Sequence, residues 1–371
     1  MSNNLLKGKL VVCLEQAVAA PYCSVKLADA GARVIKIERN EGDFARYYDN
    51  FVKGNSTYFV WLNRGKESLV ANIKKSEDRD LLHKIISKAD IFIQNLLPGT
   101  LEKYNLDSKF LRRQNKKLIT CDISGYSQLG RKAKDKAYDL LIQAETGLCS
   151  LTGNESSPGR VGVSVCDISC GLNAYALILE ALIKRDITGK GSSIKISLFD
   201  SLSEWMNVPF LQYMHTKKAP KRVGLSHPSI VPYGCFTTKD NKKILFSIQN
   251  EREWSLLEQN ILRLPESLKI KFNNPSNRLK NKNKLNNIIK NNFKKNIAKD
   301  ICKILKKNRI AFGYLNSIED FSRHSQLKTS KVALENIDIS FIPPVSLKKR
   351  LRFKKVPKLG EHSNKIRREF D

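Results

Sequence analysis

The alternation of strand-like and helix-like segments near the N-terminus constrains the fold of this chain more than any other feature. "KLVVCLE" (9–15) and "ARVIKIE" (32–38) are short apolar runs rich in β-branched residues, which indicate buried strands. Between them, "APYCSVKLADAG" (20–31) predicts a helix, with Pro21 suited to its first turn and Gly31 to its end. Two strands joined by a helical crossover pair in parallel.

The same alternation continues along the chain. Further strands are predicted in 68–73, 90–95, 117–124 and 189–200, and further helices in 76–89 with Ser76 as N-cap, after Asp139 and after Asp167. Strands that alternate with helices predict a doubly wound, Rossmann-like α/β domain. The G-x-G-x-x-G of dinucleotide-binding sheets is missing after the first strand, where "EQAVAAP" stands, so an NAD site is disfavoured.

A second, smaller region follows this alternating part. The stretch 227–250 predicts two strands joined by a polar turn, and the Lys/Asn-rich text of 278–308 predicts amphipathic helices. A chain of 371 residues is too long for one typical core. We therefore expect a large α/β domain over 1–205, to which 325–371 returns, and a small α+β domain over 215–324.

The chain is strongly basic, with 66 Lys and Arg against 36 Asp and Glu and a net charge of +30. Such a charge can indicate a nucleic-acid partner. Much of it, however, lies in the Lys/Asn-rich text of 277–296, and no nucleic-acid-binding motif is present. We expect no nucleic-acid partner, and a positive field that favours small anionic ligands.

The sequence lacks the motifs that are typical of several other classes of protein. Eight scattered cysteines without a C-x-x-C pair or neighbouring histidines predict reduced thiols in a cytoplasmic protein and no metal site. No run of 18 uncharged apolar residues is present, so we expect no membrane span. The P-loop, G-x-S-x-G and H-E-x-x-H motifs are missing as well, which disfavours kinase, hydrolase and zinc chemistry.

The segment "GVSVCDISCG" (162–171) places a carboxylate, Asp167, directly before a long apolar helix. From the residues alone, two interpretations are open. Asp167 can be the N-cap of that helix, because a carboxylate accepts hydrogen bonds from the free N–H groups of the first turn. It can also be a reactive group at a buried helix start, where small neighbours leave room for a substrate.

Seven phrases in order carry a resemblance to a known family. They are "AAPYCSVKLADAGARVIKIER" (19–39), "IQNLLPGTLEKYNLD" (93–107), "SGYSQLG" (124–130), "KAYDLLIQAETGL" (136–148), "VSVCDISCG" (163–171), "GKGSSIKISLFDSL" (189–202) and "PKLGEHSNKI" (357–366). Together they resemble the family III CoA-transferases, which include formyl-CoA:oxalate and carnitine CoA-transferases and share their fold with α-methylacyl-CoA racemase. The resemblance spans residues 8–366 and implies an interlocked homodimer.

The resemblance implies covalent chemistry at Asp167, the position of the family's nucleophile. Asp167 would attack an acyl-CoA donor, give a mixed anhydride and then an aspartyl-CoA thioester, and pass CoA to a small carboxylic acid acceptor. Coenzyme A is thus implied as part of the substrate, with no metal. We expect the free N–H groups at the helix start to hold the pKa of Asp167 at or below its ordinary value.

The resemblance also implies a set of residues that bind coenzyme A. They are Val18, Ala19, Arg39, Ala71, Asn72, Ile73, Lys74, Asn95, Leu96, Leu97, Lys103, Lys136, Ala137, Tyr138 and Asp139. Arg39 would meet the nucleotide phosphates. Lys103 stands where the formyl-CoA enzymes have arginine, so a solvated surface charge is its alternative interpretation.

Two departures from family patterns bear on the reaction. Tyr138 replaces the histidine that the racemases use as a base, which favours a transferase over the alternative, an α-methylacyl-CoA racemase or epimerase. The stretch 222–234 lacks the glycine run of the formyl-CoA enzymes. It is more similar to members acting on short dicarboxylyl groups such as succinyl, with Arg222 and His227 placed to meet a distal carboxylate. His227 can equally brace its own loop.

Overall fold

The computed structural model describes residues 5–346 and 353–371, which fall into two compact units. The first unit comprises Met1–Cys149, Arg160–Met214 and Lys328–Asp371, and the second comprises Ser150–Gly159 and His215–Leu327. Ser150–Gly159 therefore belongs to the second unit, although the sequence placed it within 1–205. A backbone hydrogen bond from Gly224 to Gly153, of 3.1 Å, helps to tie it there.

A parallel sheet of six strands forms the centre of the first unit. Its strands are β1 (Leu10–Leu14), β2 (Arg33–Glu38), β3 (Lys66–Val70), β4 (Ile91–Gln94), β5 (Ile119–Ser124) and β6 (Ser193–Ser197). Their order across the sheet is β3-β2-β1-β4-β5-β6, and every pairing is parallel. The predicted α/β sheet is confirmed. The strand predicted over 68–73 instead lies at Lys66–Val70.

The helices of this part of the chain are α1 (Ala19–Asp29), α2 (Thr57–Asn63), α3 (Ser76–Ser87), α4 (Ser108–Gln114), α5 (Asp139–Glu145), α6 (Leu148–Leu151), α7 (Val165–Thr188), α8 (Leu198–Ser203) and α9 (Asn207–Thr216). Helix α3 begins at Ser76 with Lys75 as N-cap, so the prediction that Ser76 caps it is wrong by one position. Two acids in the first turn of α3, Glu77 and Asp78, suit the positive end of its dipole.

Side chains alternate between the two faces of the sheet and build a separate core on each. From β1, Val11 and Cys13 join the cluster that contains α1 and α7, whereas Val12 and Leu14 join the cluster that contains α3. This is the period of two expected of a strand covered on both sides. The sheet is thereby fixed as a rigid platform whose strand ends hold the loops described below.

Helix α7 is the central helix of the first core. By length and apolar composition alone it could cross a membrane; its buried residues pack in the same core as α1 and the sheet. Gly171 permits the close approach to α1, because a Cβ there would lie 2.6 Å from the carbonyl oxygen of Ala19. Gly171 therefore allows α7 and α1 to pack closely.

The second unit combines a small antiparallel sheet with helices. Its elements are β7 (Tyr233–Thr237), β8 (Lys243–Ser247), α10 (Glu251–Leu257), α11 (Glu266–Lys271), α12 (Pro275–Lys280), α13 (Lys282–Lys295), α14 (Ala298–Lys307), β9 (Phe312–Tyr314) and α15 (Ile318–Ser322). Leu285, Ile289 and Phe293 form the buried stripe of α13, and its Lys and Asn residues lie mostly outside that stripe. Part of the positive charge therefore belongs to solvated helix faces.

The remaining elements belong to the first unit and include a hairpin that the sequence did not predict. They are β10 (Ser330–Leu334), β11 (Ile337–Phe341) and α16 (Ser363–Phe370). The turn before α16 lies along β3: the Ser68 N–H donates to Nδ1 of His362 over 3.2 Å, and the Val70 N–H donates to Oγ of Ser363 over 3.0 Å. This turn takes the place of a further strand at that edge of the sheet.

Candidate active site

Two cavities open at the carboxyl ends of the parallel strands. The first has a volume of about 660 Å³ and is lined by the segments after β1, β4 and β5 and by the start of α7. The second, of about 380 Å³, is lined by the segments after β1, β2 and β3. Gln16 and Leu96 line both cavities. They follow β1 and β4, between which the strand order reverses, and this is where open α/β sheets bind ligands.

Most of the residues predicted for the site come together here. The first cavity is lined by Val18, Ala19, Asn95, Leu96, Leu97, Lys136, Ala137, Tyr138, Asp139 and Asp167. The second is lined by Arg39, Ala71, Asn72, Ile73, Lys74 and again Leu96. Residues 71–74 can line it because β3 has already ended at Val70. Gln16, which lines both cavities, was missed by the sequence-based prediction.

Lys103 does not join either cavity. It lies exposed on a short 3₁₀ helix, Glu102–Tyr104, and lines neither of the two. The alternative interpretation of Lys103, a solvated surface charge, therefore agrees better with its position.

Arg222 is held by its own unit. Its Nε donates to the carbonyl oxygen of Asn154 over 2.8 Å, and its two terminal nitrogens donate to the carbonyl oxygens of Ser150 and Glu155 over 3.2 Å each. All three nitrogens of the guanidinium thus bind backbone. This arrangement fastens Ser150–Gly159 and argues against the predicted use of Arg222 as a carboxylate ligand.

His227 braces its loop, which was the second of its two interpretations. Its Nδ1 accepts the backbone N–H groups of Ser229 and Ile230 over 3.1 and 3.0 Å. Its ring stacks on Tyr233 with the centroids 5.5 Å apart. The Nδ1 atom of His227 is therefore engaged by its own loop.

Asp167 is the third residue of α7, not its N-cap. The N-cap is Ser164, whose side chain makes no capping hydrogen bond. The cap comes instead from α5, because Oδ1 of Asp139 accepts the backbone N–H of Cys166 over 2.7 Å and that of Asp167 over 3.3 Å. The side chain of Asp167 is therefore not needed to cap the start of α7. It lines the first cavity.

Burial, and secondly the charge of Asp139, raise the pKa of Asp167 to about 7. The expectation that helix-end donors would hold this pKa at or below its ordinary value is wrong. Burial is the larger physical reason. The second reason is Asp139, which takes the N–H groups of the first turn and places a negative charge beside Asp167. Near neutral pH, Asp167 lies close to its titration midpoint.

Gln143 extends the clamp made by Asp139. Its Nε2 donates to Oδ2 of Asp139 over 2.7 Å, and its Oε1 accepts the backbone N–H of Val161 over 2.9 Å. Asp139 and Gln143 are four residues apart and share a face of α5. That face therefore holds both the start of α7 and the segment that leads into it.

The loop after β1 is held in an unusual conformation where it borders both cavities. Ala17 has φ +63°, a left-handed value that is rare for a residue with a Cβ. Its N–H donates to Oδ1 of Asp43 over 3.1 Å. Asn95 accepts the N–H of Gln16 over 2.9 Å and donates to its carbonyl oxygen over 2.8 Å. Surrounding side chains thus maintain the loop shape against its local preference.

A fully buried ionic network lies beneath this loop. Lys36 Nζ contacts Oδ2 of Asp43 at 2.8 Å, Lys66 Nζ contacts Oε1 of Glu15 at 2.6 Å, and all four side chains are 0% exposed. Burial opposes each charge, yet Lys66 and Lys36 lower the pKa of Glu15, and Asp43 and Glu15 raise that of Lys36. The sequence carried a signal that went unused: a lysine in the middle of the buried strand "ARVIKIE" needs a buried partner.

No cluster of three metal-ligating side chains exists among residues 5–346 and 353–371. The eight cysteines are unpaired. Cys166, which adjoins Asp167, is buried, and burial followed by Asp139 raises the pKa of its thiol. At neutral pH this thiol is protonated and a weak nucleophile, so Asp167 is the stronger candidate nucleophile at this helix start.

Comparison with known proteins agrees with this geometry. The model of CoA-transferase family III matches residues 6–363. This match covers nearly the whole chain, so the chain is a member of CoA-transferase family III.

The similar proteins include enzymes and a solved structure. Succinyl-CoA:glutarate CoA-transferase of Mus musculus is 31% identical over 98% of this chain and 86% of its own length. Succinate–glutarate CoA-transferase of Agrobacterium fabrum is 32% identical over 99% of this chain and 96% of its own length. A CaiB/BaiF family protein of Brucella suis matches with a TM-score of 0.86 at 31% identity, over the whole of both chains.

The family implies coenzyme A as part of the substrate, and the two cavities fit it. The second cavity carries Arg39 and Lys74 at the carboxyl edge of the sheet, where cations suit nucleotide phosphates. The first cavity contains the candidate nucleophile, Asp167. Both linings include Gln16 and Leu96, so the two cavities are neighbours.

Proposed function

We propose that this protein transfers coenzyme A from a short dicarboxylyl-CoA, best represented by succinyl-CoA, to a carboxylic acid through covalent intermediates on Asp167. The observation that carries the proposal is the Asp167 side chain at the first cavity, released from helix capping by Asp139. Among the residues that the structure describes, none donates a hydrogen bond to the Asp167 carboxylate. A carboxylate without donors and with a raised pKa is a stronger nucleophile than an ordinary surface aspartate.

The reaction needs only the ionised form of Asp167. Its oxygen attacks the thioester carbonyl, the C–S bond breaks, and CoA thiolate leaves behind a mixed anhydride. The thiolate then attacks the Asp167 carbonyl, which releases the first acid as a carboxylate and forms an aspartyl-CoA thioester. The second carboxylate repeats both steps in reverse, so one thioester replaces another without a net proton or an energy donor.

The neighbours of Asp167 assist this chemistry by position and charge. Each intermediate on Asp167 is neutral at that side chain, so its formation relieves the repulsion from Asp139. The clamp of Asp139 and Gln143 keeps the start of α7 in place while the Asp167 side chain carries the anhydride or the thioester. Residues of the loop around Ala17, pinned by Asp43 and Asn95, border the space where the acyl group would lie.

The choice of a dicarboxylyl substrate rests on the relatives and on the missing glycine run of 222–234. Two of the similar enzymes carry succinyl-CoA or succinate together with glutarate in their names. This chain should therefore prefer longer dicarboxylic acids such as succinate and glutarate, and their CoA esters, to formyl-CoA and oxalate.

A second copy of the chain belongs to the proposal. Helix α9 exposes Val208, Phe210, Leu211 and Met214 on a helix that buries none of its residues among those described. An apolar helix of this kind is covered in most soluble proteins. The interlocked homodimer that the family implies would cover α9 with the partner chain.

The test is chemical trapping of the intermediate. The full chain is incubated with succinyl-CoA and quenched with hydroxylamine, and peptide mass spectrometry should find a hydroxamate at Asp167. Asp167→Asn should lower turnover at least about 10³-fold, the scale of removing a nucleophile. Asp186→Asn, an exposed acid near the other end of α7, is the matched control and should keep full activity. A label elsewhere, or none during turnover, would contradict the mechanism.

A further inference from the structure

Recognition of a dicarboxylic substrate needs a cation for the carboxylate that does not react. Arg222 and His227 do not line the first cavity. Backbone carbonyl oxygens occupy the guanidinium of Arg222, and Nδ1 of His227 holds its own loop. The search therefore turns to the first cavity, whose basic side chains are Lys136 and Arg160. Arg160 has no assigned role.

The guanidinium of Arg160 is available for a ligand. It lines the cavity that contains Asp167. Within the described ranges, 5–346 and 353–371, no hydrogen bond, ion pair or cation–π contact engages its side chain. Arg160 is exposed, whereas Arg46 and Arg64 lie deeper in the first unit and are paired with Glu38 and Asp29. An arginine left without a carboxylate beside a substrate cavity is a natural partner for a carboxylate of the substrate.

The backbone fixes Arg160 relative to the nucleophile. The next residue, Val161, donates its N–H to Oε1 of Gln143 over 2.9 Å and accepts from Nε2 of Gln143 over 3.4 Å. Asp139, one turn earlier on α5, holds the N–H groups at the start of α7. One helical turn is about 5.4 Å. The same helix face therefore sets the separation between the reacting carboxylate and the root of the Arg160 side chain.

The other walls of the cavity suit the chain between two carboxylates. Phe44, Tyr48 and Tyr58 line it, and their rings pack on one another with centroids 5.7 and 5.4 Å apart. A methylene chain can lie against these rings while its far carboxylate leaves the apolar surface. The acids of the cavity, Asp135, Asp139 and Asp167, repel a carboxylate, so a far carboxylate needs a cation to stay.

We propose that Arg160 binds the distal carboxylate of the dicarboxylic substrate and thereby determines specificity for two-carboxylate acids. Guanidinium and carboxylate match in a bidentate pair, whereas Lys136 offers a single point charge. This inference rests on the proposed function and names the residue that selects its substrate class.

The experiment compares acids of matched length with and without the second carboxylate. Purified full-length wild type, Arg160→Gln and Arg160→Lys are assayed with succinate against butyrate and with glutarate against pentanoate as acceptors. Arg160→Gln should lower kcat/KM for the dicarboxylic acids about 10- to 100-fold, as expected for a lost charge-assisted pair, mainly through KM. The monocarboxylic acids should change less than about 3-fold, and Arg160→Lys should recover part of the loss.

A matched control variant and a second measurement distinguish an error about Arg160 from an error about the proposed function. Arg368→Gln removes an exposed arginine of α16 and should change none of these ratios. Succinate should also raise the melting temperature of the wild type more than that of Arg160→Gln. Equal losses for both acid types, or no loss, would overturn the role of Arg160 while CoA transfer by the wild type upholds the proposed function. A wild type that transfers CoA to no acid overturns the proposed function itself.

Discussion

The Asp139–Asp167 pair makes activity depend on pH in a way that one substitution should shift. In the proposed mechanism, attack requires ionised Asp167, whose pKa is raised to about 7 by burial and then by Asp139. In wild type, kcat/KM should therefore rise about 10-fold from pH 6 to pH 8 and level off above, because the ionised fraction grows from about 9% to about 90%. The substitution Asp139→Asn removes the negative charge beside Asp167 and leaves the burial of Asp167 unchanged.

The expected displacement follows from the order of the two causes. Burial is the larger, so removing the Asp139 charge should lower the midpoint by about one pH unit, from about 7 to about 6. At pH 6 about half of Asp167 would then be ionised, and kcat/KM at that pH should rise about 5-fold relative to the plateau. The asparagine oxygen can still accept the N–H groups of Cys166 and Asp167, so the helix start remains capped.

The substitution also has a structural cost that the assay must separate. The new amide nitrogen would face Nε2 of Gln143, where Oδ2 of Asp139 now accepts a hydrogen bond. Two donors face to face should cost about 1–3 kcal/mol of folding free energy. Thermal melts at each pH therefore accompany the kinetics, and only pH values at which the variant is fully folded enter the profile.

The assay is the pH dependence of kcat/KM for succinyl-CoA, normalised to the plateau of each variant. Asp186→Asn changes the net charge equally at the exposed end of α7 and should leave the midpoint unchanged. A midpoint for Asp139→Asn that stays at the wild-type value, or moves up, would refute the account of how Asp139 acts on Asp167.

Other predictions concern stability and assembly. Because the folded pKa of Asp167, about 7, lies above its unfolded value of about 3.9, stability is lost as pH rises from about 4 through about 7. In thermal melts, Asp167→Asn should be more stable than wild type at pH 8, by up to about 4 kcal/mol, and equal to it at pH 4. Lys36→Met should destabilise by about 3–5 kcal/mol in urea unfolding, since it leaves buried acids unpaired, whereas the exposed Lys116→Met should be neutral; equal effects would contradict the buried network. Gly171→Ala should lower the melting temperature and weaken CoA binding by calorimetry, because its Cβ would push on Ala19. Light scattering should give about twice the 42.2 kDa chain mass, and an active monomer would exclude the dimer.

The sheet was predictable from sequence because its information is local. Buried parallel strands are short apolar runs, and the loops and helices between them carry Pro and Gly at their ends, as in 20–31. The hairpin β10–β11 escaped prediction because its strands are polar on one face and short. The strand predicted over 68–73 was placed too late, because residues after Val70 turn away from the sheet to line a cavity.

The candidate site was predictable in its membership and not in its electrostatics. The resemblance placed Asp167 and most of the lining residues, yet the pKa of Asp167 depends on Asp139, which lies 28 residues away and reaches it only in the fold. Arg222 shows the converse error. Its charge suggested a substrate, and only the structure shows that three carbonyl oxygens occupy it. Hydrogen bonds between a side chain and distant backbone groups leave no periodic pattern in the sequence, so they cannot be predicted from it.

The turn that lies along β3 has a consequence for how the chain folds. The hydrogen bond from Ser68 to His362 spans 294 residues, so the outer strand acquires its partner groups only after nearly all of this sequence has been synthesised. Until then β3 presents open N–H and C=O groups, the kind of strand edge at which chains join and aggregate. Contacts this distant in sequence also slow folding. During translation, the first unit should therefore depend on chaperones longer than the second, whose elements from Tyr233 to Ser322 are all local by comparison.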